Sequence, residues 1–187
     1  TQIGDVYVAT GDKEIFEEVI NNNGKSILTN KKHLTGTDRI FEAFEQLKDK
    51  NIDYIINLQG DEPLIDTNDI IRLNNLAINN NCDITTLACK LQKQNIENQN
   101  VVKVICDKNI ENKEIGLAKN FTRSLKNINS RNIFHHIGIY IYKVSILKKF
   151  VNLKPTLNET NFRLEQLRAL DNNIKINVVF SNFAPIG

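Results

Sequence analysis

The hydrophobic positions change period repeatedly along the chain, and each change marks an element. Asp5 to Thr10 (DVYVAT) reads as a short buried strand, and Asp12 then stands where an N-cap belongs, ahead of Ile15, Val19 and Ile20 at helical spacing. Gly24 is expected to end that helix. Lys25 to Thr29 predicts a second strand, and after the loop KKHLTG a helix runs from Thr37 with Ile40, Phe41, Phe44 and Leu47 on one apolar stripe. Ile52 to Leu58 is nearly continuous in apolar residues, as expected of a central parallel strand covered on both faces. Asp66 caps a helix carrying Ile70, Ile71, Leu73, Ala77 and Ile78, and Asp83 to Leu91 and Val101 to Cys106 read as further strands.

The polar stretch 107–132 gives no assignment; a lid, a subunit contact or a long excursion fits it equally. Beyond it come a strand over His136 to Tyr142, a helix over Val144 to Phe150, a break at Pro155, a helix over Glu159 to Leu170 and a last strand over Lys175 to Phe180. The alternation predicts an α/β fold: an open, mostly parallel, Rossmann-like sheet with crossover helices. No repeat or linker divides the sequence, so residues 1–187 read as one domain.

Composition adds boundaries. With 187 residues, 41% hydrophobic and 25% charged, the chain can build its own core without disulfide or structural metal. A net charge of +2, with lysines scattered among acids, argues against nucleic acid as a partner. Cys82, Cys89 and Cys106 are odd in number and lack C-x-x-C spacing, so they read as reduced buried thiols in a cytoplasmic protein. No apolar run reaches the length of a membrane span, so membrane insertion is not expected.

In open α/β sheets ligands bind at the carboxyl ends of the strands, which draws attention to Gln59-Gly60-Asp61-Glu62-Pro63. Gly60 permits close approach, and Asp61 offers a hard oxygen ligand for a magnesium-triphosphate; a tight turn that uses Asp for its own hydrogen bonds accounts for the same residues. Thr35-Gly36-Thr37-Asp38-Arg39 opens a helix where backbone N–H groups and the guanidinium of Arg39 suit an anion, although a Thr cap beside a surface Arg reads the same way. Along His136 to Tyr142, one face shows Ile137, Ile139 and Ile141. The other shows His136, Gly138, Tyr140 and Tyr142, a polar wall with a gap at Gly138, or else one side of a half-exposed strand. Leu164, Leu167 and Leu170 make a stripe that turns Glu165 and Gln166 away from the core, as on any solvated helix face. Arg123, taken alone, reads as a surface residue.

Taken together, TGTDR (35–39), LQGDEPLI (58–65), NVVKVICD (100–107), HIGIYIY (136–142) and LEQLRAL (164–170) resemble the 3-deoxy-manno-octulosonate (Kdo) cytidylyltransferases, or CMP-Kdo synthetases. QGDEP alone would also admit acylneuraminate cytidylyltransferases; HIGIY followed by LEQLR is narrower. The resemblance implies CTP and Kdo as substrates, lipopolysaccharide biosynthesis as the setting, Mg2+ as cofactor and a homodimer. It implies that Asp61 is catalytic and holds the metal, that Gly36, Thr37, Arg39 and Gln59 lie against the nucleotide, and that His136, Tyr140, Glu165 and Gln166 bind the sugar. Arg123, matching the Arg of the family's F-S-R motif as Phe121-Thr122-Arg123, is implied in both sugar binding and catalysis. The family's basic N-terminal loop does not precede Thr1, and its P-x-G-V/I-D-T motif is met only as far as Pro185-Ile186-Gly187, so the domain reads as truncated at both ends. An inactive remnant is the rival reading.

Overall fold

The computed structural model describes residues 3–47, 51–60, 65–111, 115–126 and 128–183. They fall into two compact units, Thr1–Asp53 and Tyr54–Gly187. The first holds β1 (Val8–Thr10), α1 (Lys13–Asn21), β2 (Ser26–Leu28) and α2 (Gly36–Gln46), with β1 and β2 paired in parallel. The Asp12 carboxylate accepts from the Glu14 amide and starts α1 as expected. Its end differs in detail: Asn23, not Gly24, takes the left-handed conformation (φ 60°), which Asn tolerates. Gly24 has a different task, because a Cβ there would stand 2.6 Å from Val19 Cγ1.

The second unit is built on six strands: β3 (Tyr54–Leu58), β4 (Ile84–Lys90), β5 (Lys103–Cys106), β6 (Ile115–Thr122), β7 (Ile133–Lys143) and β8 (Ile176–Ser181). Their order is β3-β7-β4-β8-β6-β5, and β5 also pairs with β7. Of these pairings only β4–β8 is parallel. The expectation of an open, mostly parallel sheet is therefore corrected: the sheet is mixed, and strands β7, β4, β8, β6 and β5 close into a barrel-like ring. The reason lies in β7. It inserts between β3 and β4 and runs antiparallel to both, so those two strands point the same way, joined by α3 (Thr67–Asn79), without being neighbours. The long β7 bends across a bulge opposite Thr86 and Leu87, where Gly138 and Ile139 are unmatched, and this lets its first half reach β5.

Two further segments depart from the sequence pattern. The unassigned stretch contains β6, whose inward positions include Gly116 and Ala118, too small to register as a hydrophobic period. The helix expected over Glu159 to Leu170 is two helices, α5 (Leu157–Phe162) and α6 (Gln166–Asp171), separated at Arg163 in the left-handed conformation (φ 53°). A capping box between Thr156 and Glu159 starts α5. α4 (Val144–Val151) packs Leu147 and Phe150 into a core that includes Leu73, Leu87, Ile139, Ile141 and Val178, all fully buried. No described helix is long and apolar enough to cross a membrane.

Candidate functional site

In the first unit, Thr35 caps α2: its Oγ1 accepts from the Asp38 amide (3.1 Å) and donates to Asp38 Oδ2 (3.0 Å). The helix start is thus held in place, with Thr37 buried and Gly36 exposed. Arg39 turns back toward β2, donating from Nη1 to Thr29 Oγ1 (2.7 Å) and to the Asn30 carbonyl (3.3 Å). It therefore lines, with Lys31, an open cavity of about 350 Å3 formed at the end of β1 by Ala9, Thr10, Gly11 and Asp12. Gly11 is required there, because a Cβ would fall 2.8 Å from Arg39 Nη1 and 2.9 Å from Lys31 Cα. Two cations and few apolar walls suit a polyanion better than a neutral ligand.

In the second unit, Gln59 is exposed directly after β3. Leu58 pairs with Ile139 and Asn57 with Tyr140, which brings the end of β3 level with Gly138 of β7. No described atom outside its chain neighbours lies within 4 Å of where a Gly60 Cβ would stand. Asp61 itself lies outside the described residues. Among the described residues, no three metal-ligating side chains gather into a cluster.

On β7 the expected face is real but deeper than a solvent-facing wall. His136, Tyr140 and Tyr142 are 8, 7 and 4% exposed. Their rings run in a row, His136 to Tyr140 at 5.4 Å and Tyr140 to Tyr142 at 5.8 Å, with Phe121 edge-on to His136 at 5.2 Å and Phe150 beyond Tyr142 at 6.2 Å. Thr86, also fully buried, donates to the Ile139 carbonyl (2.7 Å), which leaves its oxygen to accept from His136 Nε2–H at 3.0 Å. Burial, with His135 beside it, pushes His136 down to about 3. The imidazole is therefore neutral at ordinary pH and acts as a hydrogen-bonding ring. Burial likewise raises the Tyr140 phenol well above its usual range, assisted by Tyr142 and Glu165, so Tyr140 keeps its proton.

Glu165 and Gln166 sit half-buried at the start of α6. Behind them Arg168 is only 5% exposed. It donates from Nε to Glu159 Oε2 (2.7 Å) and from Nη2 to Glu159 Oε1, with Nη2 also 3.8 Å from Glu165 Oε1. Arg123 follows β6, two residues after Phe121, and its Nη1 donates to the Gln99 and Asn100 carbonyls at 3.1 and 3.2 Å. Lys103 lies beneath it, fully buried, with Nζ on the Asn98 carbonyl (2.6 Å) and the Arg123 carbonyl (2.9 Å). The structure thus puts His136 and Tyr140 in ring contact, links Glu165 to that row through Arg168, Phe150 and Tyr142, and puts Gln166 beside Glu165 in the chain. Arg123 is tied to the group through Phe121. Sequence reasoning missed Thr86, Lys103 and Arg168; for the last two the available signal was a charge inside an apolar run, VVKVIC and LRAL.

Against known proteins, the cytidylyltransferase family profile matches residues 1–176. The 3-deoxy-manno-octulosonate cytidylyltransferase of Thermodesulfovibrio yellowstonii is 42% identical over 201 residues, covering 99% of this chain and 76% of its own length. That of Rickettsia canadensis is 39% identical over 181 residues, covering 96% and 72%. The solved structure of CMP:2-keto-3-deoxy-manno-octonic acid synthetase complexed with CTP superposes with a TM-score of 0.85 at 28% identity, covering 98% of this chain and 75% of that one. A profile match over nearly the whole chain and relatives well above 30% identity leave one assignment: the chain belongs to the cytidylyltransferase family, among the 3-deoxy-manno-octulosonate cytidylyltransferases.

Proposed function

We propose that the protein transfers the cytidylyl group of CTP to Kdo, giving CMP-Kdo and pyrophosphate for lipopolysaccharide assembly. The observation that carries this reading is the buried row of His136 and Tyr140, with Glu165 linked to it through Arg168 and Phe150: a phenol donor, a neutral imidazole with an acceptor nitrogen and a carboxylate together suit a polyhydroxylated sugar. His136 and Tyr140 both stay neutral between about pH 5 and 8, so the hydrogen bonds they offer do not change charge in that range. Arg123 adds a cation for the sugar's carboxylate, while Arg39, Gly36, Thr37 and Gln59 are assigned to the nucleotide, with Lys31 added from the lining of the cavity.

In the reaction, the anomeric hydroxyl of Kdo attacks the α-phosphorus of CTP, the bond to the β-phosphate oxygen breaks, and pyrophosphate leaves with its electron pair. No covalent enzyme intermediate is required. The chain's contribution is alignment and charge neutralisation, the two terms on which such transfers depend. Asp61, together with phosphate oxygens of CTP, would hold Mg2+, in keeping with a cation that binds through one or two carboxylates plus substrate phosphates. Bound there, the ion would screen phosphate charge and make a nearby hydroxyl more acidic.

Pyrophosphate release from CTP plus Kdo tests the proposal. Asp61→Ala is expected to lower turnover by about a hundredfold or more, whereas His136→Ala raises the KM for Kdo and leaves that for CTP nearly unchanged. Near-native turnover in the first variant removes Asp61 from the mechanism; a selective loss of CTP affinity in the second reverses the assignment of the two substrates. A panel with acylneuraminate in place of Kdo separates the acid-sugar alternatives, and sedimentation tests the homodimer.

A further inference from the structure

Two six-residue helices, α5 and α6, present the sugar-facing residues Glu165 and Gln166, and helices so short do not hold themselves. Between them Arg163 occupies the left-handed region, a conformation that is unfavourable for a non-glycine residue and needs surrounding contacts to enforce it. Glu165 stands at the N-cap of α6 but its carboxylate makes no capping hydrogen bond. The guanidinium of Arg168, one turn ahead, faces that carboxylate. Arg168 has its fork on both oxygens of Glu159, and Glu159 Oε2 also accepts from the Thr156 amide at 3.2 Å, so the fork is anchored to the start of α5. The guanidinium face lies over the Phe150 ring at 4.9 Å, and Phe150 adjoins the Tyr142–Tyr140–His136 row. Nη2 then reaches Glu165 at 3.8 Å, an ion-pair separation. One buried cation therefore touches the carboxylate on one side of the cradle and, through Phe150 and Tyr142, backs the tyrosine on the other.

We infer that Arg168, held by Glu159, is a positioning residue for sugar binding: it sets the direction of Glu165 and the seating of Tyr140 without touching the substrate. The inference rests on the assignment of Glu165 and Gln166 to Kdo. A buried ion pair that served stability alone would, when weakened, lower the melting temperature and leave the Michaelis constants of the folded protein alone. A positioning pair moves one constant and spares the other.

The test compares Arg168→Lys, Arg168→Met, Glu159→Gln and Glu165→Gln by steady-state pyrophosphate release, with calorimetric titration of Kdo and thermal melting alongside. Arg168→Met is expected to raise the KM for Kdo about tenfold or more while the KM for CTP stays within about twofold, and Arg168→Lys, which keeps charge but not the fork, to recover part of the loss. Glu159→Gln preserves shape and one acceptor, so it decides the matter if the Met variant does not fold; a rise of about threefold in the same constant is expected. Unchanged KM and Kd for Kdo in both Arg168→Lys and Glu159→Gln, with lowered melting temperatures, would overturn the positioning role while leaving the sugar assignment standing. Unchanged Kdo affinity in Glu165→Gln overturns the assignment itself and the inference with it, as does a wild-type protein that neither binds Kdo nor releases pyrophosphate.

Discussion

Replacing His136 with glutamine separates two things that the buried imidazole does, because only one of them depends on pH. The ring packs edge-on against Phe121 and beside Tyr140 and donates to Thr86, so its removal costs packing at every pH, on the order of 1–3 kcal/mol. The second effect is a proton linkage. The folded-state value near 3 lies below the ordinary 6.5, so the unfolded chain binds a proton that the folded one refuses. This contribution is fully present above about pH 6.5, is lost as pH falls, and stops changing below about pH 3. From those two values the loss between pH 8 and pH 5 is about 2 kcal/mol, worth roughly 4–8 °C in melting temperature for a chain of this size. Glutamine can donate to Thr86 but does not titrate. Urea unfolding of both proteins at pH 8 and pH 5 should therefore show a stability gap that narrows by about 2 kcal/mol in acid, with the histidine protein falling toward the variant. His135, whose value burial and Lys103 also lower, and the carboxylates titrate in both proteins and cancel in that difference. A gap that stays constant across the two pH values would refute the argument that this ring is held neutral in the fold.

Two further outcomes follow from other buried groups. Lys103→Met keeps the aliphatic stem but leaves the Asn98 and Arg123 carbonyls without their donor, so thermal unfolding should drop by the equivalent of roughly 3 kcal/mol; an unchanged midpoint would mean that water replaces the ammonium at no cost. Cys106, 3% exposed and with its thiol pushed up to about 12 by burial and by Asp107, should not react in the native protein with an aromatic disulfide reagent at pH 8, and with Cys82 and Cys89 equally buried all three thiols should appear together on unfolding; fast native titration of any of them contradicts the burial.

The sequence pattern carried most elements because each buries one face at its own period, and the caps at Asp12 and Asp66 and the strand at Tyr54–Leu58 stand where it put them. It could not tell which strands are neighbours. An uninterrupted apolar run suggests a central parallel strand covered on both faces, yet the run at Tyr54–Leu58 stands at the edge of the described six-stranded sheet beside an antiparallel β7, with Asn57 its one buried residue. The motif residues were legible as types at fixed spacings: His136 and Tyr140 share a side because a strand has period 2, and the structure keeps them in ring contact. Depth was not legible from that periodicity, which is why a wall expected to face solvent is a buried aromatic row.

Two of the three missed residues share one cause. Lys103 and Arg168 are charged, and charge in a pattern reads as surface, yet both lie at positions where geometry demands burial. Lys103 stands within VVKVIC, and Arg168 stands between Leu167 and Ala169 on the buried side of α6. Leu170, expected in that stripe, is only half-buried, and Arg168 with Ala169 takes the inner place. A buried cation is tolerated when its partners are already fixed: two carbonyls for Lys103, the Glu159 carboxylate for Arg168. Both cations sit one step behind a residue assigned to the sugar, Lys103 on the peptide of Arg123 and Arg168 on the carboxylate of Glu165. A site that must orient a flexible acid sugar needs its own charged side chains held still, and a charge is held most firmly by another charge or by carbonyls that water does not reach. The charges that break the hydrophobic pattern are in this sense the trace, left in the sequence, of how the cradle is supported.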